Sequence, residues 1–132
     1  MGLVVHKYGG TSVADADRMR AVAEHVRRTR RRGDDVVVVI SAMGKETDEL
    51  IRTAADLSDD PPGREMDMLI TAGERKASAL MCMALDAAGV PAASFTGSQA
   101  GFRTDTNHTN ARIVEVRPDR VRAALDDGLV PV

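Results

Sequence analysis

Lys7, Gly9 and Gly10 stand almost side by side, directly after an apolar β-rich run and directly before a strongly helical stretch. A glycine pair at a strand-to-helix junction exposes backbone N–H groups, and the dipole of the following helix adds partial positive charge at the same point. Lys7 brings a full charge on a flexible stem. Together these residues suit an anion, phosphate above all. On spacing alone the segment serves equally well as a structural glycine turn beside a solvated lysine. Because the lysine precedes the glycines, both G-x-G-x-x-G and G-x-x-x-x-G-K-[ST] are excluded.

The other residues able to do chemistry have plain structural roles when read singly. Ser41 follows the run Val36-Val37-Val38-Val39-Ile40, at the strand end where open α/β sheets place ligands. As a lone residue it is a turn former, Thr47 is a helix N-cap, and Glu74 is a solvated helix face. His108 and Asp105 fit a surface hydrogen-bond pair better than a metal site. His6 reads as structural and His25 as solvated on an arginine-rich helix. Cys82, the one cysteine, lies between Met81 and Met83 and reads as a buried, inert thiol, which rules out a disulfide framework within one chain.

The elements that must position these residues follow from periodicity. Residues 3–6 form a short strand, and a helix follows the glycines with Ser12 as N-cap and Asp15 reaching back. Met19, Val22, Ala23 and Val26 share one face of it. Its last turns gather Arg27, Arg28, Arg30, Arg31 and Arg32 near the negative end of the helix dipole. The β-branched run 36–40 predicts a strand buried on both faces of a parallel sheet. Helices are predicted over 47–57 and from the Pro61-Pro62-Gly63 break to about Ala88, with Gly73 marking a close approach or an interruption midway. Residues 92–95, 113–116 and 129–132 read as further strands, 96–101 as a glycine-rich loop, and Pro118 opens a last helix. Alternating strands and helices predict an α/β fold, a doubly wound, mostly parallel sheet with helices on both faces.

Bulk properties narrow the function. A chain of 132 residues with 43% hydrophobic and 29% charged residues is one globular unit with a real core. Aromatics at 2% leave that core to aliphatic side chains. The net charge of −2 provides no basic field for nucleic acid or an anionic membrane, and a small-molecule partner fits better. Neither a signal-peptide pattern nor a membrane-length apolar run is present, which places the protein in the cytoplasm.

Lys7-Tyr8-Gly9-Gly10-Thr11-Ser12-Val13 closely resembles the signature opening of aspartokinases, members of the amino acid kinase family. Residues 39–50 resemble a second motif, with Glu46 where threonine is more usual. Thr71-Ala72-Gly73-Glu74-Arg75 resembles a third, with Ala72 a mild departure. Residues 94–105 and 108–113 resemble the segment that follows. The motifs stand in family order and span essentially the whole chain.

This resemblance implies the amino acid kinase fold, ATP with Mg²⁺, and L-aspartate phosphorylated on its side-chain carboxylate to 4-phospho-L-aspartate. The product serves lysine, threonine and methionine synthesis. Lys7 would contact the transferring phosphoryl group, with Gly9 and Gly10 donating N–H groups to its oxygens. Ser41 and Thr47 would line the aspartate pocket, and Glu74 would take the substrate ammonium in a buried charge pair. Mg²⁺ would be held by phosphates and water without a protein ligand. Residues 1–132 correspond to the N-terminal substrate- and phosphoryl-binding part, the nucleotide-binding half and ACT domains being absent, and the isolated chain is expected to be inactive. The rival expectation is a non-catalytic assembly module. Either reading allows a homo-oligomer or pairing with a complementary chain, the module through an open sheet edge at 129–132.

Overall fold

The computed structural model describes residues 1–132. Strand β1 (Leu3–Tyr8) leads through a 3-10 turn at Gly10–Val13 into α1 (Ala16–Arg31), and β2 (Asp35–Ile40) follows. Next come α2 (Glu46–Leu57), α3 (Gly63–Ala87), β3 (Ala92–Ala93), β4 (Phe102–Thr104), β5 (Ile113–Val116), α4 (Asp119–Asp126) and β6 (Val130–Pro131). β1 pairs with β2 in parallel and β3 with β6 in parallel, while β4 and β5 form an antiparallel hairpin. The architecture is the α/β fold with a mostly parallel sheet that the alternation of elements implies.

The core forms where α1 and α3 cover one face of the sheet. Val22, Ala23 and Val26 of α1 meet Ala77, Met81 and Leu85 of α3 over Val36 and Val38 of β2. These spacings of three and four residues place each helix's apolar stripe on one side. Met81, Leu85 and Val26 are wholly buried. Val130 of β6 joins this core, whereas its neighbour Pro131 borders a cavity on the opposite face together with Val121 of α4. Helices thus flank both sides of β6.

The expectation that the run 36–40 is buried on both faces does not hold. Val36 is 0% and Val38 2% exposed, yet Val39 is 45% exposed, and Val5 opposite Val37 is 61% exposed. Strand alternation explains the split, because successive side chains point to opposite faces and α1 and α3 cover only one. The even-numbered face of β1 carries His6 and Tyr8 against α1, and the odd-numbered face carries Leu3, Val5 and Lys7.

Several local expectations are corrected. Asp15, not Ser12, caps α1, accepting the Arg18 N–H at 2.8 Å, because the 3-10 turn delays the helix start. α2 begins at Glu46 with Lys45 before it, so Thr47 lies inside the first turn and is not its cap. The stretch 129–132 is paired along one of its two sides, by β3. There Val130 donates to Pro91 O, Val132 donates to Ala93 O, and Phe95 donates to Val132 O. No helix is long and apolar enough to cross a membrane.

Candidate functional site at the ends of β1 and β2

Because β1 and β2 are parallel and in register, with Lys7 opposite Val39 and Tyr8 opposite Ile40, their C-terminal ends finish side by side. Each chain then turns away from the same edge of the sheet, and the two turns touch. The Gly44 N–H donates to Gly10 O at 3.0 Å. A Cβ on residue 10 would stand 2.9 Å from Ala42 O and 3.0 Å from Gly44 O, so backbone from the second turn fills the space a side chain would need. Gly9 differs: its backbone is extended, and nothing lies within 4 Å of where its Cβ would be.

The N–H groups of Gly9, Gly10 and Thr11 find no backbone acceptor within the chain. Consecutive free N–H groups at the start of a helical turn form a concavity that favours an anion. Lys7 adjoins them at the strand end. It is exposed and enters none of the chain's ion pairs.

Ser41 and Thr47 are half-buried on either side of the second turn, and their side chains make no hydrogen bond. α3 is pressed against this region at Gly73, where a Cβ would meet Leu50 Cδ1 at 3.3 Å and Ala42 Cβ at 3.5 Å. Of the two roles open to Gly73, a close approach or an interruption, the structure shows the first, in an unbroken helix, and places Glu74 next to the contact. Glu74 itself is exposed and enters none of the chain's ion pairs. It lines a cavity of about 890 Å³ under the odd-numbered sheet face, with Thr71, Ser78, Val39, Phe95 and Thr96 among its other walls. Lys7, Gly9, Gly10, Ser41 and Thr47 lie outside that cavity's lining. The structure therefore gathers Lys7, both glycines, Ser41 and Thr47 around the paired turns, with Glu74 on the neighbouring cavity wall.

Three interactions escaped the sequence reading. Lys76 of α3 bonds Glu46 of α2 at 2.5 Å, while the second Glu46 carboxylate oxygen is buried without a partner. His108 pairs with Asp67 of α3 at 3.1 Å and not with Asp105, whose carboxylate instead accepts the Asn107 and Arg112 N–H groups. His25 is exposed but far from merely solvated, since its Nδ1 lies 2.8 Å from the Tyr8 hydroxyl and its ring stacks on His6. No spacing rule flags contacts between residues this far apart in sequence.

The electrostatics single out few groups. Burial pushes the Cys82 thiol up to about 11, which leaves it a protonated, unreactive side chain at neutral pH. Burial, with a smaller effect from His25, holds His6 below its ordinary value, and burial raises Tyr8. No group of three or more His, Cys, Asp or Glu side chains is placed to hold a metal ion.

Known proteins share the sequence and the fold of this chain. The aspartokinase of Mycolicibacterium smegmatis is 57% identical over 130 residues, covering 98% of this chain and 31% of the relative. The chain thus spans about a third of the length of the curated relatives it matches. The crystal structure of aspartate kinase from Synechocystis superposes with a TM-score of 0.84 at 44% identity, covering 98% of this chain and 21% of that one. Aspartokinase III of E. coli, solved in complex with aspartate and ADP, matches in fold with a TM-score of 0.76 at 22% identity, over 98% of this chain and 40% of its own. The family model described as the amino acid kinase family matches residues 2–132, and over that span the chain belongs to the amino acid kinase family.

Proposed function

We propose that this chain supplies the phosphoryl-binding turn and part of the aspartate pocket for an aspartokinase-type transfer from ATP to L-aspartate. The observation that carries the reading is the row of free N–H groups at Gly9, Gly10 and Thr11 beside the unpaired Lys7. A side-chain carboxylate oxygen of aspartate attacks the γ-phosphorus. The new O–P bond forms as the bond to the bridging oxygen of ADP breaks, giving 4-phospho-L-aspartate for lysine, threonine and methionine synthesis. An aspartate side chain has a reference pKa of about 3.9 and is already ionised at neutral pH, so the reaction needs no general base.

Catalysis then reduces to aligning two anions and offsetting their repulsion. Lys7 and the turn N–H groups do this at the phosphoryl oxygens. Ser41 and Thr47 orient the substrate, and Glu74 receives its ammonium, gaining there the partner it lacks in the free chain. Mg²⁺ accompanying ATP would be held by phosphate oxygens and water, where it would neutralise phosphate charge.

The test is a chimera in which residues 1–132 replace the matching third of the M. smegmatis relative, assayed by trapping the acyl phosphate with hydroxylamine. The chimera is expected to form aspartyl hydroxamate in the presence of ATP. Lys7→Ala is expected to lower kcat on the order of a hundredfold or more, the usual loss when a preorganised charge-stabilising group is removed. An active chimera unaffected by Lys7→Ala would sink the assignment. The 132-residue chain by itself is expected to form no acyl phosphate.

A further inference from the structure

The packed face of β1 carries a hydrogen-bonded cluster that the phosphoryl chemistry leaves unused. His6 and Tyr8 of β1 meet His25 and Thr29 of α1 there. Tyr8 Oη lies 3.0 Å from His6 Nδ1 and 2.8 Å from His25 Nδ1, and Thr29 Oγ1 lies 3.4 Å from His6 Nε2. The two imidazole rings stack with centroids 4.7 Å apart.

Counting donors assigns every proton in the cluster. Thr29 spends its only hydroxyl proton on His25 O at 3.3 Å, so it can only accept from His6 Nε2–H. A neutral His6 protonated at Nε2 has a bare Nδ1, which accepts the Tyr8 O–H. With its proton spent, the Tyr8 oxygen accepts from His25 Nδ1–H. The free Nε2 of His25 can take a proton without breaking any of these bonds. A proton on His6 Nδ1, in contrast, sets N–H against O–H and places a cation in a half-buried position beside His25.

The surroundings of His6 offer nothing to offset that cation. From β2 it faces Val38, its register partner, flanked by Val37 and Val39. From α1 it faces the neutral Thr29 and the titratable His25, and from its own strand it faces Tyr8. Burial and His25 both hold its pKa below the ordinary value, so the neutral form is the resting state at neutral pH. Tyr8, whose pKa burial raises, keeps its proton there as well.

Tyr8 is the residue between Lys7 and Gly9, and its side chain ties the end of β1 to α1. We propose that His6, Tyr8 and His25 form a proton-sensitive latch on the Lys7–Gly10 turn, closed while His6 is neutral and released when His6 takes a proton. The latch stands on the cluster geometry, and its effect on ligand binding rests on the anion-binding reading of the turn.

Imidazole and backbone ¹H–¹⁵N NMR of the 132-residue chain, titrated from about pH 8 to about pH 5, tests it. At the upper end His6 is expected as the Nε2–H tautomer and His25 as the Nδ1–H tautomer. On acidification the Gly9 and Gly10 amide resonances follow the protonation of His6. In Tyr8→Phe those amides stop following His6. In His6→Gln, whose amide oxygen can still accept from Tyr8, they stay at their neutral positions throughout. A His6 Nδ1–H tautomer in the native chain, or glycine amides that ignore His6, overturns the latch, and neither result depends on a variant folding.

Sulfate, whose charge is constant over this range, separates the latch from the ligand reading. Its affinity is expected to fall on the order of fivefold through the His6 midpoint in the native chain and to stay level in His6→Gln. Glycine amides that follow His6 with no sulfate binding at any pH would uphold the latch and remove the anion-binding reading.

Discussion

The two faces of the β1–β2 ladder are made from the same strands and behave oppositely. On one, Val36 and Val38 pack beneath Met81 and Leu85 with almost no exposure. On the other, Val5 and Val39 border an open cavity of about 890 Å³. Alternation assigns the residues with chemistry to sides as well. Lys7 shares the open face with Val5, and Glu74 lines the cavity there, while His6 and Tyr8 lie on the packed side. The packed face holds the fold together, and the open face leaves a cavity.

Four experiments press on that contrast. The largest effect is expected from Leu85→Ala, which empties a wholly buried site and costs about 2–5 kcal/mol in denaturant unfolding. A loss comparable to that of a surface change would mean that the packed face is not the stabilising one. Next is Gly10→Ala, whose new methyl meets backbone oxygen at 2.9 Å and must part the two turns, at about 1–3 kcal/mol. Gly9→Ala serves as the control and should cost about 1 kcal/mol or less, since its site is open and its backbone needs no special conformation.

A smaller effect comes from acid. Because His6 is depressed from 6.5 in the folded chain, the unfolded chain binds the proton first. The stability His6 contributes is therefore complete above about 6.5 and lost as pH falls through the lower folded value. Unfolding midpoints of the native chain and His6→Gln measured across that window should converge or diverge accordingly, with the native chain alone losing this contribution in acid. The smallest effect is expected on the open face, where Val39→Thr should shift stability by no more than about 0.5 kcal/mol. A loss of several times that would show the cavity wall to be part of the core.

Much of this was legible in the sequence. The stripe along α3, the β-branched run of β2 and the glycine pair after β1 mark their elements by local pattern alone, while Gly73 read as a close approach or an interruption until its neighbours were placed. What failed did so for identifiable reasons. Val39 reads like Val38, because composition reports that a strand is apolar and not which face its neighbours cover. Ser12 is as good a cap as Asp15 until the 3-10 turn moves the helix start. β4 is three exposed residues whose pairing is set by β5 and not by their own pattern. The ring of His6, Tyr8 and His25 joins a strand to a helix, and the Glu46–Lys76 pair joins two helices, so neither leaves a trace in periodicity.

The hydrogen bond from Gly44 to Gly10, with no room for a side chain between the turns, makes two distant stretches of sequence a single mechanical part. A substitution among residues 42–44 would be felt at the N–H row as though made beside it. Anyone exchanging residues 9–13 with those of another amino acid kinase should therefore transplant 42–44 along with them, since half of the part, seated against a foreign partner, would not hold its shape.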